Sequence, residues 1–245
     1  ETENNLYGIL KTIGRDTAGV LTFSDPVSAQ AAEQQTNPLR LIKAQELIER
    51  LDTNDPARIT NWDGKYRLSV AGVQNKLNVF IDKDSDIYLA DGDYASTHIL
   101  KFASKYHSSL IANELFCMRL AKAIGLAVAD VKHAMFGQHN ALVVKRFDRR
   151  TTDNGVDKRH IIDTCQALNL PPEYKYEQNY GSGTDVAHIR DGVSLRKLFH
   201  FAQQCAVPGV VTQKLLDWLV FNLIIGNSDA HGKNVSFYIQ PNGIS

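Results

Sequence analysis

The residues with the clearest potential for chemistry lie near the C-terminus, in a polar loop that contains Asp229 and Asn234. The loop follows an apolar run, Leu215 to Ile225, and precedes a strand-like run, Val235 to Ile239. The apolar run predicts a buried helix that ends at Gly226. A carboxylate can accept a proton from a hydroxyl group, and an amide oxygen can hold a magnesium ion. The loop therefore combines a candidate general base with a candidate metal ligand.

The spacing between these two residues, Asp-x-x-x-x-Asn, is that of the catalytic loop of protein kinases. In kinases the aspartate accepts the proton of the substrate hydroxyl, and the asparagine holds Mg²⁺ on the phosphates. Aspartate and asparagine are also ordinary loop formers, so the motif taken alone favours a plain turn after a helix. Both interpretations stay open until another part of a kinase is found.

A second candidate pair, Lys101 and Glu114, lies in a strand that is followed by a helix. The run Thr97 to Phe102 has the composition of a strand, and Leu110 to Ile124 has helical periodicity, with Gly125 at its end. A kinase uses a strand lysine and a glutamate of the next helix as an ion pair that holds the α- and β-phosphates. A surface lysine and a solvated glutamate are the alternative interpretation.

The elements that must position these residues are predicted with strands first and helices later. A small-residue turn at Ala71-Gly72 joins two strand-like runs between Tyr66 and Phe80. A single glycine is weak support for a phosphate-binding loop, and a hairpin turn is the alternative. The other predicted elements are a helix after Pro38, strands at Ile87 to Leu89, Val131 to Phe136 and Ala141 to Asp148, and helices at Asp163 to Leu168 and Ser194 to Cys205.

This order of elements predicts an α+β fold with two lobes, strand-rich in its N-terminal part and helical in its C-terminal part. We expect residues 1–37 to form the remnant of an N-terminal subdomain and a mobile connector that begins at Ser24. Residues 38–148 would form a strand-rich nucleotide-binding lobe, and residues 149–245 a helical lobe with the catalytic loop. The basic segment Arg146 to Arg150 favours a solvated strand end, followed by a polar loop as far as Lys158. The polar region 173–192 is predicted to be a surface loop.

Composition limits the classes of function. The 245 residues are 43% hydrophobic and 22% charged, which suits one or two globular domains. The formal net charge is +0, so nothing marks the whole surface as a binder of nucleic acid or membrane. The sequence lacks both an apolar run of the ~20 residues that cross a bilayer and a signal pattern, which indicates a cytoplasmic protein. Cys117, Cys165 and Cys205 are odd in number and widely spaced, which favours reduced thiols.

Five short motifs follow one another in a fixed order along the chain: Ser69 to Lys76, Thr97 to Lys101, Arg146 to Arg149, Asp163 to Gln166 and Asp229 to Asn234. In this order they resemble the motifs of the HipA-like toxin kinases, a family of bacterial serine/threonine kinases. Ile13 to Asp16 looks like a further part of the same pattern. The resemblance is tight from Tyr66 to Ile239 and loose between Ser24 and Lys65.

The resemblance implies a kinase-like fold and a role for each matching residue. Asp229 would be the catalytic base, Asn234 a ligand of Mg²⁺, and Lys101 a contact of the ATP phosphates, with Glu114 as its ion-pair partner. Ser69 would be autophosphorylated, and its modification would eject the phosphate loop and block ATP binding. The phosphate loop would consist of Val70, Ala71, Gly72, Val73, Gln74, Asn75 and Lys76. The other nucleotide contacts would be Lys145 and Phe147, in the hinge that reads adenine, and His231 and Lys233, in the catalytic loop.

The resemblance also implies partners. The first is a small DNA-binding antitoxin of the HipB type, which would bring the kinase to its operator DNA. The neutral net charge is compatible with such an indirect contact to DNA. The second is a protein substrate, for which the best-known class in the family is the aminoacyl-tRNA synthetases.

Two features depart from the family pattern. A second metal-binding aspartate is expected on a later strand, beyond Ser245, and the N-terminal subdomain of the family has no counterpart before Leu6. Asn242-Gly243, a pair favoured in type I′ turns, also suggests a chain cut inside a hairpin. We therefore expect a fragment with little or no phosphoryl transfer of its own, from a protein that is an ATP-dependent kinase when intact. The alternatives are an inactive scaffold that binds nucleotide or antitoxin, and a small-molecule kinase of the aminoglycoside type.

Overall fold

The computed structural model describes residues 6–23, 38–53, 55–67, 75–91, 94–103, 109–153 and 155–245. Contacts between Cα atoms divide the chain into two compact units. Unit 1 consists of Glu1–Lys122 and Val128–Lys158, and unit 2 of Ala123–Ala127 and Arg159–Ser245. The predicted connector from Ser24 to Asn37 lies outside the described residues. Helices and a strand-rich sheet occur together, so the protein has the mixed helix and strand structure that the order of elements predicts.

Unit 1 is built around an antiparallel sheet. Its strands are β1 (Leu39–Leu41), β2 (Asn61–Trp62), β3 (Lys65–Tyr66), β4 (Lys76–Ile81), β5 (Ile87–Ala90), β6 (His98–Phe102), β7 (Val131–Phe136), β8 (His139–Lys145), β9 (Arg149–Thr152) and β10 (Gly155–Lys158). Its helices are α1 (Leu6–Ile13), α2 (Ala44–Asp52), α3 (Pro56–Thr60) and α4 (Leu110–Ala123), of which the last residue falls in unit 2. Six of the strands form one sheet in the order β1-β5-β4-β6-β8-β7.

Strands β4 and β6 place two of the predicted site lysines on one face of this sheet. Lys76 pairs in register with Lys101, and Leu77 with Leu100. Because side chains alternate across a strand, the two lysines lie on one face and the two leucines on the other. The leucine face belongs to the buried core of unit 1, which also contains Trp62. Packing of this core therefore determines which way Lys101 points.

Unit 2 combines a small sheet with helices. Its strands are β11 (Ile161–Asp163), β12 (Ser236–Gln240) and β13 (Gly243–Ile244), which pair in that order. Its helices are α5 (Thr164–Ala167), α6 (Leu195–Ala202) and α7 (Pro208–Ile224). A buried cluster joins α6, α7 and β12 through Leu198, Phe201, Leu215 and Phe237. The catalytic-loop motif lies between α7 and β12, so both of its ends are held by this core.

Helix α7 is longer and less buried than its apolar sequence predicts. It begins with Pro208 at the first turn and is followed by Gly226, whose φ of 65° suits a glycine after a helix. Val211 and Leu215 are buried, whereas Leu223 is 71% exposed and Ile224 77% exposed. The prediction of a buried helix therefore holds for one side of α7 and is wrong for the other, because only one side packs on the core of unit 2. Within the described ranges, no helix is both long and apolar enough to cross a membrane.

The basic segment after β8 is buried and charge-paired, so the prediction of a solvated strand end is wrong. Arg146, Asp148 and Arg149 expose 5% of their surface or less. Asp148 Oδ2 accepts hydrogen bonds from Arg146 Nη2 at 2.9 Å and from Arg149 Nη1 at 2.7 Å. Arg149 Nη2 also donates to Asp16 Oδ1 at 3.1 Å. We call Asp16, Arg146, Asp148 and Arg149 the Asp148 network. A buried charge needs such partners, because an unpaired ion in the interior is costly.

Strands β9 and β10 form a hairpin where a polar loop was predicted, with Thr151 opposite Val156. The hairpin begins at Arg149, which the Asp148 network connects to Asp16, and ends at Lys158, whose Nζ donates to Thr22 Oγ1 at 2.7 Å. These contacts keep the hairpin with unit 1, and the division into units falls after Lys158. The predicted domain limits, with a boundary after residue 148, stay a prediction.

Candidate active site

The loop between α7 and β12 is organised by asparagine side chains. Asn222, which is buried near the end of α7, accepts a hydrogen bond at its Oδ1 from Asn227 Nδ2, at 2.7 Å. Asn227 Oδ1 in turn accepts from the backbone N–H of Asp229, at 3.1 Å. Such side-chain turns replace the backbone pairing that the chain loses after a helix ends. Asp229 is thereby held on a defined turn.

The Asp229 carboxylate is open to solvent and has two aromatic neighbours. Its side chain is 77% exposed, as a residue that meets a large substrate must be. The Tyr176 hydroxyl donates a hydrogen bond to Asp229 Oδ1, and His231 Nε2 lies 4.0 Å from the same oxygen. Burial and the positive charge of Lys175 lower the pKa of His231, although Asp229 acts in the opposite direction. His231 is therefore a neutral imidazole at neutral pH.

His231 and Asn234 fold the second half of the loop into a 3-10 turn, Gly232–Asn234. His231 Nδ1 accepts from the backbone N–H of Lys233 at 3.2 Å, and Asn234 Oδ1 accepts from the backbone N–H of His231 at 2.8 Å. Gly232 is required by space, since a Cβ there would lie 2.7 Å from Val193 Cγ2. The turn therefore fixes the amide group of Asn234.

The chemistry of Asn234 fits a magnesium ligand. An amide oxygen has two lone pairs, of which the His231 N–H uses one. Mg²⁺ prefers oxygen ligands and is commonly held by one or two side chains together with phosphate oxygens. Across the part of the chain that the structure describes, no three His, Cys, Asp or Glu side chains are grouped as a metal site. A nucleotide that binds together with Mg²⁺ would add phosphate oxygens to the amide oxygen of Asn234.

Lys233, a predicted nucleotide contact, is paired with a carboxylate. Its Nζ donates to Asp163 Oδ2, and Asp163 Oδ1 accepts from the backbone N–H of Gln166 at 2.9 Å as the N-cap of α5. This ion pair connects the loop that contains Asp229 and Asn234 to the end of β11. Its contact with a nucleotide stays a prediction.

In unit 1, Lys101 on β6 donates a hydrogen bond to Glu114 on α4. Lys76 lies opposite Lys101 on β4 and is buried. Burial and the positive charge of Lys101 lower the pKa of Lys76, while Glu114 partly offsets them. Both lysines interact with the Glu114 carboxylate, and their positive charges repel each other. The predicted contact of Lys101 with the ATP phosphates stays a prediction.

Most of the predicted phosphate loop cannot be placed. Ser69, Val70, Ala71, Gly72, Val73 and Gln74 lie outside the described residues. The described end of the loop is Asn75, whose carbonyl accepts from the backbone N–H of Phe102 at 3.0 Å. This bond continues the pairing of β4 with β6, so Lys76 belongs to the sheet and not to the turn. The predicted modification of Ser69 stays a prediction.

In the predicted hinge, the backbone N–H groups of Lys145 and Arg146 already donate hydrogen bonds within the protein. The backbone N–H of Lys145 donates to the carbonyl of Asp130 at 2.8 Å, and that of Arg146 donates to the carbonyl of Thr97 at 2.9 Å. The Phe147 side chain is exposed. Recognition of adenine by this segment would therefore fall on other backbone groups, and the roles of Lys145 and Phe147 stay predictions.

The predicted residues form two groups. Lys76, Lys101 and Glu114 come together in unit 1, and Asp229, His231, Lys233 and Asn234 come together in unit 2. Sequence reasoning gave no role to Tyr176, because it lies in the polar region 173–192 that was predicted to be a surface loop. A tyrosine in a stretch rich in polar residues is a weak signal, and only contact with Asp229 distinguishes it.

Comparison with known proteins identifies relatives of the whole chain. The family model described as HipA-like C-terminal domain matches residues 68–245. The serine/threonine-protein kinase toxin HipA of Shewanella oneidensis is 46% identical over 245 residues, which are 99% of this chain and 55% of that protein. A protein of Sinorhizobium fredii, Y4mE, is 36% identical over a match of 246 residues that covers 98% of this chain and 55% of the relative. The chain spans about half the length of the curated relatives it matches.

A solved structure has the same fold over the full chain. It is that of the Shewanella oneidensis toxin–antitoxin system, a complex of HipA, HipB and operator DNA. The TM-score is 0.85 at 44% sequence identity, and the match covers 100% of this chain and 56% of the other. Because the identity is well above the level at which only folds are shared, the comparison relates the two sequences as well as their architectures.

Proposed function

The chain belongs to the family of HipA-like C-terminal domains. We propose that the protein is an ATP-dependent serine/threonine kinase with two lobes, and that this chain contains its catalytic loop. The observation that carries the proposal is the ion pair of Lys101 with Glu114, on a strand and the following helix. Kinases require such a pair to hold the α- and β-phosphates. The Asp229 to Asn234 loop supplies the complementary group of residues in unit 2.

In this mechanism the protein positions its reactants and stabilises charge. Asp229 accepts the proton of a serine or threonine hydroxyl and orients that oxygen toward the γ-phosphorus. Lys101 binds phosphate oxygens, and Glu114 keeps the ammonium of Lys101 in place. Mg²⁺, when bound with ATP, neutralises charge on the phosphates, and Asn234 is the residue that would hold it. The products are a phosphorylated protein and ADP.

The biological role that follows is that of a toxin kinase in the cytoplasm. The Shewanella oneidensis structure contains HipA together with HipB and operator DNA. By analogy, an antitoxin of the HipB type binds this protein and connects it to DNA. Ser69 is the proposed site of autophosphorylation, and an aminoacyl-tRNA synthetase is the proposed class of protein substrate.

The test replaces Asp229 with asparagine in the full-length protein. Transfer of labelled phosphate from ATP to the protein itself, and to a serine-containing acceptor, should fall by at least about 100-fold, because general base catalysis contributes that much. Asp217→Asn is the matched control, since Asp217 is an exposed aspartate on α7 that bonds only to Gln213 among the described contacts. Undiminished transfer by Asp229→Asn would exclude Asp229 as the base.

A further inference from the structure

Tyr176 makes two contacts with the catalytic loop. Its hydroxyl donates a hydrogen bond to Asp229 Oδ1, and its ring stands edge-on to the imidazole of His231, with centroids 5.2 Å apart and an interplanar angle of 90°. Lys175 Nζ lies 5.0 Å from the centroid of the Tyr176 ring. A phenol that touches the proposed base and its neighbour in the loop is placed to control both.

Backbone hydrogen bonds of Tyr174 and Glu177, on either side of Tyr176, fix the position of Tyr176. The backbone N–H of Val193 donates to the carbonyl of Tyr174 at 2.8 Å, and the backbone N–H of Gly192 donates to the carbonyl of Glu177 at 3.2 Å. A Cβ on Gly192 would lie 1.8 Å from the carbonyl oxygen of Tyr176, so no other residue fits there without a backbone shift. The tyrosine is therefore held by a close backbone approach.

The segment Gly192-Val193, which bonds to Tyr174 and Glu177 on either side of Tyr176, also contacts the catalytic loop through Val193 and α6 through Gly192. Val193 packs its side chain against Gly232, where a Cβ would come within 2.7 Å of Val193 Cγ2. Gly192 accepts at its carbonyl from Lys197 Nζ at 3.0 Å, which ties this strip to α6. One segment thus supports both Tyr176 and the turn that contains His231, so their positions relative to Asp229 are coupled.

Among the described residues, the side-chain contacts with the Asp229 carboxylate involve one of its oxygens. Tyr176 and His231 both approach Oδ1, so Oδ2 is the oxygen that remains for a substrate hydroxyl. The hydrogen bond to Asp229 and burial raise the pKa of Tyr176, so the phenol keeps its proton and stays a donor at neutral pH. A donor on one carboxylate oxygen restricts rotation of the group, which orients the second oxygen.

From this geometry we infer that Tyr176 is a positioning residue of the kinase reaction, which fixes the Asp229 carboxylate so that Oδ2 receives the proton of the substrate hydroxyl. The inference rests on the proposed function, because it assigns to Tyr176 an effect on the same base. It predicts that loss of the Tyr176 hydroxyl lowers turnover and leaves nucleotide binding unchanged, since the hydroxyl bonds to Asp229 whereas the ring, which contacts His231, is retained.

The kinetic test uses Tyr176→Phe in the full-length protein, which keeps the ring against His231 and removes the hydroxyl. We expect kcat to fall about tenfold, in line with the loss of one hydrogen bond to a charged group, and KM for ATP to stay unchanged. Tyr174→Phe is the control, because Tyr174 bonds through its hydroxyl to Tyr180 at 3.2 Å and should leave kcat unchanged. An unchanged or increased kcat in Tyr176→Phe, or a change confined to KM, would overturn the inference.

A second readout does not depend on kinase activity. In protein labelled with ¹³C at the ζ carbon of tyrosine, the resonance that disappears in Tyr176→Phe reports the titration of Tyr176. Its pKa should fall in Asp229→Asn, toward the ordinary tyrosine value of about 10, because the acceptor carboxylate is gone. An unchanged pKa would show that the contact is absent in solution. Wild-type protein that transfers no phosphate but passes this titration would contradict the proposed function and leave the Tyr176 contact established.

Discussion

At the scale of single residues, the lysine pair of unit 1 has an unusual electrostatic setting. Lys76 on β4 is paired in register with Lys101 on β6. Lys101 forms an ion pair with Glu114, and the charge of Glu114 also acts on Lys76. Like charges at this distance repel, which is one cause of the lowered pKa of Lys76. A bound phosphate would lessen this repulsion, which is the electrostatic reason for the proposed contact of Lys101 with ATP.

Replacement of Lys101 by methionine should weaken the binding of Mg·ATP by about tenfold or more, because one contact between a lysine and phosphate oxygens is lost. Isothermal titration calorimetry measures the change directly. Lys132→Met is the matched control, since Lys132 is an exposed lysine on β7 of the same sheet. Equal affinity of Lys101→Met and wild type would argue against a role of Lys101 at the phosphates.

At the scale of elements, the Asp148 network connects β8 and β9 to the segment near Asp16. Arg146 Nη1 also donates to Ser96 Oγ at 2.9 Å, and Gly19 N–H donates to Asp148 Oδ2 at 2.9 Å. Burial alone would raise the pKa of Asp148, but the hydrogen bond from Arg146 and the charges of both arginines outweigh burial and lower it. The network therefore stabilises the ionised carboxylate, and with it the start of the hairpin.

Asp148→Asn should lower the free energy of unfolding by roughly 3–5 kcal/mol, because it leaves two buried arginines without their central carboxylate. Asp157→Asn on the same hairpin should cost at most about 0.5 kcal/mol, since the Arg150–Asp157 pair, at 3.6 Å, is exposed. Urea denaturation of both variants measures the difference. Similar midpoints for the two variants would contradict a stabilising role of the network.

The pKa of Asp148 also predicts how stability depends on pH. The pKa is lower in the folded chain than in the unfolded chain, where it is about 3.9. The stabilisation is therefore complete well above pH 4 and is lost as the pH falls through the folded value. Wild type should lose more stability than Asp148→Asn between pH 5 and pH 2. Parallel stability curves for the two proteins would show that Asp148 titrates normally.

At the scale of the whole molecule, the proposed functional residues are divided between two compact units. The phosphate-side residues belong to unit 1 and the base and metal ligand to unit 2. Exposed apolar side chains lie on α7, among them Leu216, Val220, Leu223 and Ile224. The relatives are nearly twice as long as this chain, so the activity of the full-length protein is the quantity to measure.

A non-hydrolysable ATP analogue with Mg²⁺ should raise the melting temperature of the full-length protein, because a ligand that binds only the folded state stabilises it. At 100 times Kd the gain is about 2.7 kcal/mol. Asp229→Asn should keep this shift, since Asp229 acts on the substrate hydroxyl. Lys101→Met should lose about half of the gain or more, because tenfold weaker binding at the same ligand concentration leaves about 1.4 kcal/mol. Differential scanning fluorimetry gives the comparison, and the absence of any shift in wild type would rule out nucleotide binding.

The sequence alone predicted much of the local structure. Periodicity located β4 to β8 and the helices α4, α6 and α7, and glycines marked the ends of α4 and α7, because these signals depend on neighbours in the chain. The spacing of Asp229 and Asn234 and the order of Lys101 and Glu114 are likewise local patterns. Each could be read without knowledge of what packs against it, which is why the candidate residues were found.

Only the tertiary structure decided which side chains meet. Arg146 and Asp16 are 130 positions apart, and Tyr176 and Asp229 are 53 apart, so no local pattern links either pair. The basic segment Arg146 to Arg150 is buried in part because the distant Asp16 bonds to its arginines. The apolar helix α7 is covered on only one side. Burial and pairing are properties of the packed chain, because they depend on groups that the sequence does not place side by side.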